Sequence, residues 1–138
     1  MNKRVAIIAS NGGLFDAYKV FNIATAAAAT DQEVTVFFTF EGLNLIHKEA
    51  YKELPILEGK EHFLEGKEHF EEGFTKANVP AIPELVAMAQ EMGVKFIGCQ
   101  MTMDVMGLEK EAFVDGMEVG GAVTFLEFAK DADVTLTF

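Results

Sequence analysis

The order of predicted strands and helices at the start of this chain restricts it to one class of fold. Residues 4–9 are a short apolar run that ends at the turn Ser10–Gly13, and from Leu14 the apolar residues recur at helical spacing. Residues 33–40 (EVTVFFTF) then indicate a second buried strand. Because parallel strands cannot be joined by a tight turn, this order predicts a parallel strand–helix–strand crossover.

The same alternation continues to the end of the chain. Pro80–Pro83 open a predicted helix that stops at Gly93, and residues 94–99 return as a strand. A further helix follows Gly120–Gly121, and residues 133–138 alternate like a closing strand. The pattern predicts an α/β fold with three layers, in which helices cover both faces of a mainly parallel sheet.

The length of 138 residues predicts a single domain over residues 1–138. Within it, the heptad LEGKEHF occurs twice in succession over residues 57–70. A helix would align the leucines and phenylalanines of the two copies at coiled-coil spacing, although each glycine costs about 1 kcal/mol in a helix interior. We interpret residues 51–79 as a helical arm or insertion.

Charge and cysteine content exclude several classes of function. The formal charge of −11 repels phosphate backbones and anionic lipid, so we expect neither nucleic acid nor a membrane surface as a partner. A single cysteine cannot form an internal disulfide, which favours a reducing compartment. The apolar run near the start breaks at Ser10, too early for a secretory signal. We therefore expect a cytoplasmic protein.

The histidines of the doubled heptad raise the question of a metal site. His62 and His69 would lie about 10.5 Å apart along a helix, whereas both would have to lie about 2 Å from a shared zinc ion. No dense ligand pattern accompanies them, and His47 stands alone. We interpret all three as histidines on solvated faces and predict no metal site.

The turn between the first strand and the first helix is a candidate anion site. It lies at the carboxyl end of a strand, where this class of fold places its ligand crevice. Neither the GxGxxG nor the GxxxxGK[ST] spacing is present, so a tight turn without a ligand is as good an interpretation as a nucleotide loop. The residues concerned are Ser10, Asn11, Gly12 and Gly13.

The single cysteine, Cys99, ends the third predicted strand and precedes a predicted helical turn around Asp104–Gly107. Backbone amides at a helix start favour a thiolate, whereas apolar neighbours and the Asp104 carboxylate oppose it. These local effects alone favour an inert, buried cysteine. The residues that would surround a reactive thiol are Gln100, Met101, Thr102, Met103 and Asp104.

Four blocks of sequence resemble the DsrE/DsrF-like superfamily, in particular its DsrE-like branch, whose members are often labelled peroxiredoxin-family or sulfur-reduction proteins. The blocks cover nearly the whole chain, and FFTFEGLNL and CQMTMDVMG are the most specific to that branch. Residues 51–78 and the doubled heptad match no motif of the family. The four blocks are ASNGGLFDAYKVFNIATAAAA, EVTVFFTFEGLNLI, PAIPELVAMAQEMGVKFIGCQMTMDVMGL and DGMEVGGAVTFLEFAKDADVTLTF.

The resemblance implies a flavodoxin-like parallel sheet, a homo-oligomer such as a trimer or hexamer, and a cysteine that accepts sulfane sulfur as a persulfide. The matching cysteine is Cys99. Its partners would be sulfur-donor and sulfur-acceptor proteins such as a rhodanese or a TusA-like carrier, and no cofactor would be needed. A peroxidase would require an external thiol, because the chain has no second cysteine to resolve a sulfenic acid.

The leading hypothesis is therefore a sulfur carrier or sulfurtransferase-like protein that works through Cys99. It requires the thiol to emerge at the open carboxyl edge of the sheet, with residues 10–13 and 100–104 lining the crevice and stabilising an anionic sulfur. One alternative is a small-molecule or nucleotide-binding module that uses the Ser10–Gly13 loop. Another is a non-catalytic assembly role, in which the acidic heptad arm recruits a partner.

Overall fold

The computed structural model describes residues 3–56 and 67–138. Its five strands form one sheet in the order β4-β3-β2-β1-β5, and every neighbouring pair is parallel. The predicted α/β class and parallel sheet are confirmed. The strands are β1 (Arg4–Ala9), β2 (Glu33–Phe38), β3 (Lys95–Cys99), β4 (Glu118–Gly120) and β5 (Val134–Thr137).

Two strands differ from the sequence prediction. Strand β2 ends at Phe38 rather than Phe40, because the carbonyl of Thr39 accepts the N–H of Gly42 and a 3₁₀ turn, Phe40–Ile46, begins at once. Strand β4 was not predicted at all. Its three residues, Glu-Val-Gly, are too short to show alternation.

Five α-helices are described. The short helix after Cys99 begins directly at Gln100, several residues earlier than the predicted turn, so that Cys99 is its N-cap. The helices are α1 (Leu14–Ala29), α2 (Lys67–Lys76), α3 (Ile82–Glu91), α4 (Gln100–Met106) and α5 (Ala122–Ala129).

The two faces of the sheet are covered unequally. Helices α1 and α3 pack together over one face and enclose the larger core, which includes the stacked rings of Phe21 and Phe38, with centroids 6.1 Å apart. Helix α5 covers the other face with a smaller cluster around Phe37, Phe125 and Cys99. Because side chains alternate along β3, Cys99 belongs to the face that α5 covers.

The loops that follow β1 and β2 pack directly against each other through glycine. A Cβ atom on Gly12 would lie 2.6 Å from the carbonyl oxygen of Glu41, and one on Gly42 would lie 1.9 Å from that of Ala9. Real Cβ atoms do not approach a carbonyl so closely, so only glycine fits at these two positions. The contact fixes the carboxyl edge of the sheet, where the candidate site lies.

The described part of the predicted arm is helix α2, which packs on α1. The ring centroids of Phe70 and Phe15 lie 4.7 Å apart, and those of Phe74 and Tyr18 lie 4.4 Å apart. Residues 57–66, which include the first heptad copy and His62, lie outside the described residues. In the two described ranges, no helix is long and apolar enough to cross a membrane.

Candidate functional site

Cys99 lies at the carboxyl edge of the sheet beside the end of β2. The parallel register pairs Phe38 with Gly98, so the next residue on each strand, Thr39 and Cys99, are neighbours. The cysteine is the free thiol predicted from sequence, but it is only 5% exposed. Its place at the strand end is therefore as expected, whereas the expected open position is wrong: the thiol is buried in this conformation.

Hydrogen-bond donors of three residues near the buried sulfur lower its pKa. Burial raises the pKa of the Cys99 thiol, but hydrogen bonds from the hydroxyl and N–H of Thr102, the Thr39 hydroxyl and the Met101 N–H outweigh it and hold the pKa below its ordinary value. The two amides belong to the first turn of α4, where backbone N–H groups have no partner within the helix. The arrangement favours a thiolate.

Thr102 connects the thiol to the loop that follows β2. Its Oγ1 accepts the N–H of Phe40 at 3.2 Å, which leaves its own proton free to donate to the sulfur. The hydroxyls of Thr39 and Thr102 lie 3.4 Å apart, and either one could donate to the other. Thr102 is only 3% exposed, so this hydroxyl is held by the fold rather than by solvent.

Phe40 has an unusual backbone. Its φ of +50° lies in the left-handed region, which is costly for a bulky residue. The hydrogen bond from Phe40 N–H to Thr102 helps to hold this conformation. Strain of about 1–3 kcal/mol is typical of such positions and collects at functional sites. The strained residue here is hydrogen-bonded to the side chain of Thr102, which lowers the pKa of the thiol.

A cavity of about 340 Å³ opens over Met101 and Thr102. Of the predicted site residues, Ser10, Asn11, Met101 and Thr102 line it together. Met101 and Thr102 also lower the pKa of Cys99, so the cavity and the thiol share these two residues. The remaining lining residues are Phe40, Glu41, Asn44, Val105 and Met106.

The glycines of the Ser10–Gly13 loop serve the fold. Gly12 and Gly13 are buried, and the Gly13 N–H donates to the carboxylate of Asp16 at 3.2 Å. The Leu14 N–H donates to the Pro55 carbonyl at 2.8 Å. The nucleotide-binding alternative therefore lacks two amides that an anion would use at the start of α1, and neither Gly12 nor Gly13 lines the cavity.

The other predicted site residues lie on a different surface. The Gln100 side chain donates to the Asp104 carboxylate at 2.8 Å. Together with Met103 they line a second depression of about 460 Å³. The predicted crevice is thus divided between the cavity over Met101 and Thr102 and this second depression. Asp104 is not among the groups that shift the pKa of Cys99.

The described residues offer no metal site. No group of three or more His, Cys, Asp or Glu side chains within them could hold an ion. His47 accepts the N–H groups of Glu49 and Ala50 at its Nδ1, both at 3.1 Å, so it caps a turn. The positions of His62 and the His69 side chain lie outside what the structure describes.

Sequence reasoning did not single out Thr39, Phe40, Glu41, Asn44 or Val105. Thr39 could have been found, because it follows β2 on the same face as Cys99 follows β3. The others depend on the 3₁₀ turn after β2 and on the early start of α4. The spacing of apolar residues in the sequence predicts neither this turn nor the early start of the helix.

Comparison with known proteins places relatives along the whole chain. The model of the DsrE/DsrF/DrsH-like family matches residues 1–68 and 60–137, two stretches that overlap within the doubled heptad. The sulfur carrier protein DsrE2 of Allochromatium vinosum is 38% identical over 154 aligned residues, with 97% of each chain covered. The uncharacterized protein YrkE of Bacillus subtilis is 33% identical, with 97% of this chain and 96% of that protein covered.

Two solved structures share the fold. A protein of unknown function, MTH1491 of Methanobacterium thermoautotrophicum, superposes with a TM-score of 0.68 at 11% identity, over 99% of this chain and 100% of its own. The YchN protein of E. coli gives a TM-score of 0.61 at 20% identity, over 100% of both chains. At these identities the likeness shows the fold alone.

Proposed function

Because this chain belongs to the DsrE/DsrF/DrsH-like family, we propose that it is a sulfur carrier, which holds sulfane sulfur as a persulfide on Cys99 and passes it to an acceptor thiol. The observation that carries this proposal is the place of Cys99, which ends β3 next to Thr39 and is the N-cap of α4, with its pKa held below the ordinary value. Cys99 is the one cysteine of the chain, so no other thiol could hold the sulfur. A relative 38% identical is named a sulfur carrier.

Loading would be a displacement at sulfur. The Cys99 thiolate attacks the terminal sulfur of a donor persulfide, a new S–S bond forms, and the donor's own S–S bond breaks. The donor thiolate leaves with the electron pair, so the exchange needs no external oxidant or reductant. The lowered pKa of Cys99 gives it a larger fraction of attacking thiolate than an ordinary cysteine has at the same pH.

Release would follow the same chemistry in reverse. An acceptor thiolate attacks the terminal sulfur of the Cys99 persulfide, and the Cys99 thiolate leaves. The hydroxyls of Thr39 and Thr102 and the amides of Met101 and Thr102 stabilise that leaving group. The same donors therefore serve both half-reactions, since Cys99 is a thiolate at the start of one and at the end of the other.

Access to the sulfur would run through the cavity. The thiol is 5% exposed, so side chains near it must move when a partner's sulfur approaches. Met101 and Thr102 line the cavity and also lower the pKa of the thiol. We infer that the partner enters over these two residues, with Phe40 at the edge of the opening.

The partners would be a sulfur donor and a sulfur acceptor, such as a rhodanese and a TusA-like carrier. Whether the chain also counts as a sulfurtransferase depends on its turnover with such a pair. Self-association into a trimer or hexamer, which the family resemblance implies, stays a prediction that sedimentation velocity tests. The assembly role of the heptad arm falls largely on residues outside the described ranges.

The test is to expose the purified protein to a persulfide-loaded rhodanese and weigh it before and after reduction. We expect a gain of one sulfur atom that reduction removes, and no gain in Cys99→Ala. A wild-type protein whose mass stays unchanged after exposure to the donor would refute the proposal.

A further inference from the structure

The cavity beside the thiol is framed by exposed apolar side chains. Phe40, Met101, Val105 and Met106 all line it, and their exposed fractions run from 46% for Met106 to 80% for Val105. Single exposed apolar residues are ordinary, whereas several around one concavity mark an interaction site. The group lies next to the thiol through Met101 and Thr102.

The charge on the lining of this cavity is negative. Glu41 is the charged residue that lines the cavity, and no lysine or arginine among the described residues lines it. The chain as a whole carries a formal charge of −11. The negative charge repels a small anion such as thiosulfate or an acidic peptide, whereas a basic partner would be attracted.

The size of the cavity also limits its occupant. About 340 Å³ lies at the low end of the roughly 300–1,000 Å³ of small-molecule pockets. It suits one or two protein side chains better than a nucleotide. A second copy that met this surface with its own copy of the same surface is disfavoured, because it would bring another Glu41 to the contact.

We propose that the surface formed by Phe40, Glu41, Met101, Val105 and Met106, here called the thiol mouth, docks a partner protein that presents an apolar side chain and flanking lysine or arginine beside its reactive sulfur. The apolar side chain enters the cavity, and the basic residues lie against Glu41. The inference rests on the proposed function in taking that partner to be the sulfur donor or acceptor. Docking itself does not depend on persulfide formation.

Peptides that carry an activated disulfide test the docking chemistry directly. Three peptides with one cysteine, each as its 2-pyridyl disulfide, are flanked by Leu and Lys, by Leu and Glu, or by Ser and Lys. The Cys99 thiolate forms a disulfide with the peptide and expels pyridine-2-thione, whose absorbance gives the rate. Since Cys99 is the single cysteine, the absorbance of the released pyridine-2-thione measures reaction at this site alone.

We expect the Leu-Lys peptide to react fastest, by about tenfold over the Leu-Glu peptide at low salt, with the ratio falling as salt rises. Glu41→Gln should reduce that ratio by about two- to fivefold. The matched control is Glu91→Gln, because Glu91 ends α3 and lies near the opposite edge of the sheet. It should leave the ratio unchanged.

A second pair of variants tests how much the apolar side chains of the thiol mouth contribute to the reaction rate of the Leu-Lys peptide. Val105→Ser should reduce the advantage of the Leu-Lys peptide over the Ser-Lys peptide by about threefold or more. Val123→Ser makes the same change at a valine of α5 that is 74% exposed and does not line the cavity. It should leave the advantage intact. Both valines are exposed, so neither change should unfold the protein.

Three results would overturn the inference: equal rates for the three peptides, equal effects of the two valine variants, or equal effects of the two glutamate variants. Sedimentation velocity of the wild type and of Val105→Ser tests whether a second copy of this chain occupies the surface instead. If only the variant loses an oligomer, a second copy covers the thiol mouth and the inference is wrong. A protein that selects the Leu-Lys peptide but takes up no sulfur would refute the carrier function and leave the docking surface standing.

Discussion

Replacing Thr102 by valine removes one hydroxyl and keeps the shape of the side chain. That hydroxyl lowers the pKa of Cys99 and accepts the N–H of Phe40 at 3.2 Å. A hydrogen bond to a charged group contributes about 1.5–3 kcal/mol, so its loss should lower the thiolate population at neutral pH by about ten- to 150-fold. A more basic thiolate is also a better nucleophile, which recovers about half of this effect on a logarithmic scale. We therefore expect Cys99 to react about three- to twelvefold more slowly.

The same substitution should cost stability. The Phe40 N–H loses its acceptor in a region where Thr102 is buried, and an unsatisfied buried donor costs about 1–3 kcal/mol. For a chain of this size we expect the melting temperature to fall by about 3–12 °C. The loss of the side-chain bond should also leave the left-handed backbone of Phe40 less well held.

The assay is alkylation of the single cysteine by iodoacetamide, followed by mass spectrometry at fixed pH. Thr35→Val is the matched control, because Thr35 is a buried threonine on β2 that lies about 13 Å along the strand from Thr39. It changes a buried threonine in the same way but should leave the alkylation rate unchanged. If Thr102→Val reacts as fast as wild type, or if Thr35→Val slows as much, the role given to the Thr102 hydroxyl is wrong.

The remaining predictions concern pH and the loop contact. Because the pKa of Cys99 is lowered, its alkylation rate should reach half its plateau at a lower pH than that of a free cysteine peptide. A midpoint at or above that of the peptide would contradict the lowered pKa. By linkage, the stability contributed by this thiolate is fully present above the pKa of the unfolded thiol and is lost as pH falls through the folded pKa, which urea unfolding of wild type and Cys99→Ala across pH measures. Gly42→Ala should destabilise the protein by about 1–3 kcal/mol in urea unfolding, since its Cβ would meet the Ala9 carbonyl. Gly73→Ala, in helix α2 with open space around it, should instead stabilise by up to about 1 kcal/mol, and the same sign for both variants would refute the packing account.

The periodic elements were predictable because their apolar spacing is long enough to read. The segments that became β1, α1, β2 and α3 each carry a run of strand or helix spacing, and Gly93 ends its helix as expected, at a φ of +88°. Strand β4 was missed because three residues hold no period. Its place in the sheet comes from pairing with β3, which is a tertiary contact rather than a local preference.

The candidate site was predictable in position but not in environment. Its place at the end of β3 puts Cys99 at the carboxyl edge, and the resemblance of its flanking sequence pointed to a functional thiol. The burial of the sulfur depends on α5 and Phe125, which come from the far end of the chain. The split of residues 100–104 between two surfaces depends on α4 starting at Gln100, which spacing alone did not show.

The proposed carrier function requires that Cys99 both accepts sulfur from a donor and transfers it to an acceptor. The most direct measurement follows the intact mass of the protein through loading by a persulfide-bearing rhodanese, removal of the donor, and addition of a TusA-like acceptor thiol. We predict that one sulfur atom is gained and then lost as the acceptor gains it, and that Cys99→Ala shows neither step. A mass that never rises, or a sulfur that stays on Cys99 when the acceptor is present, would contradict the account.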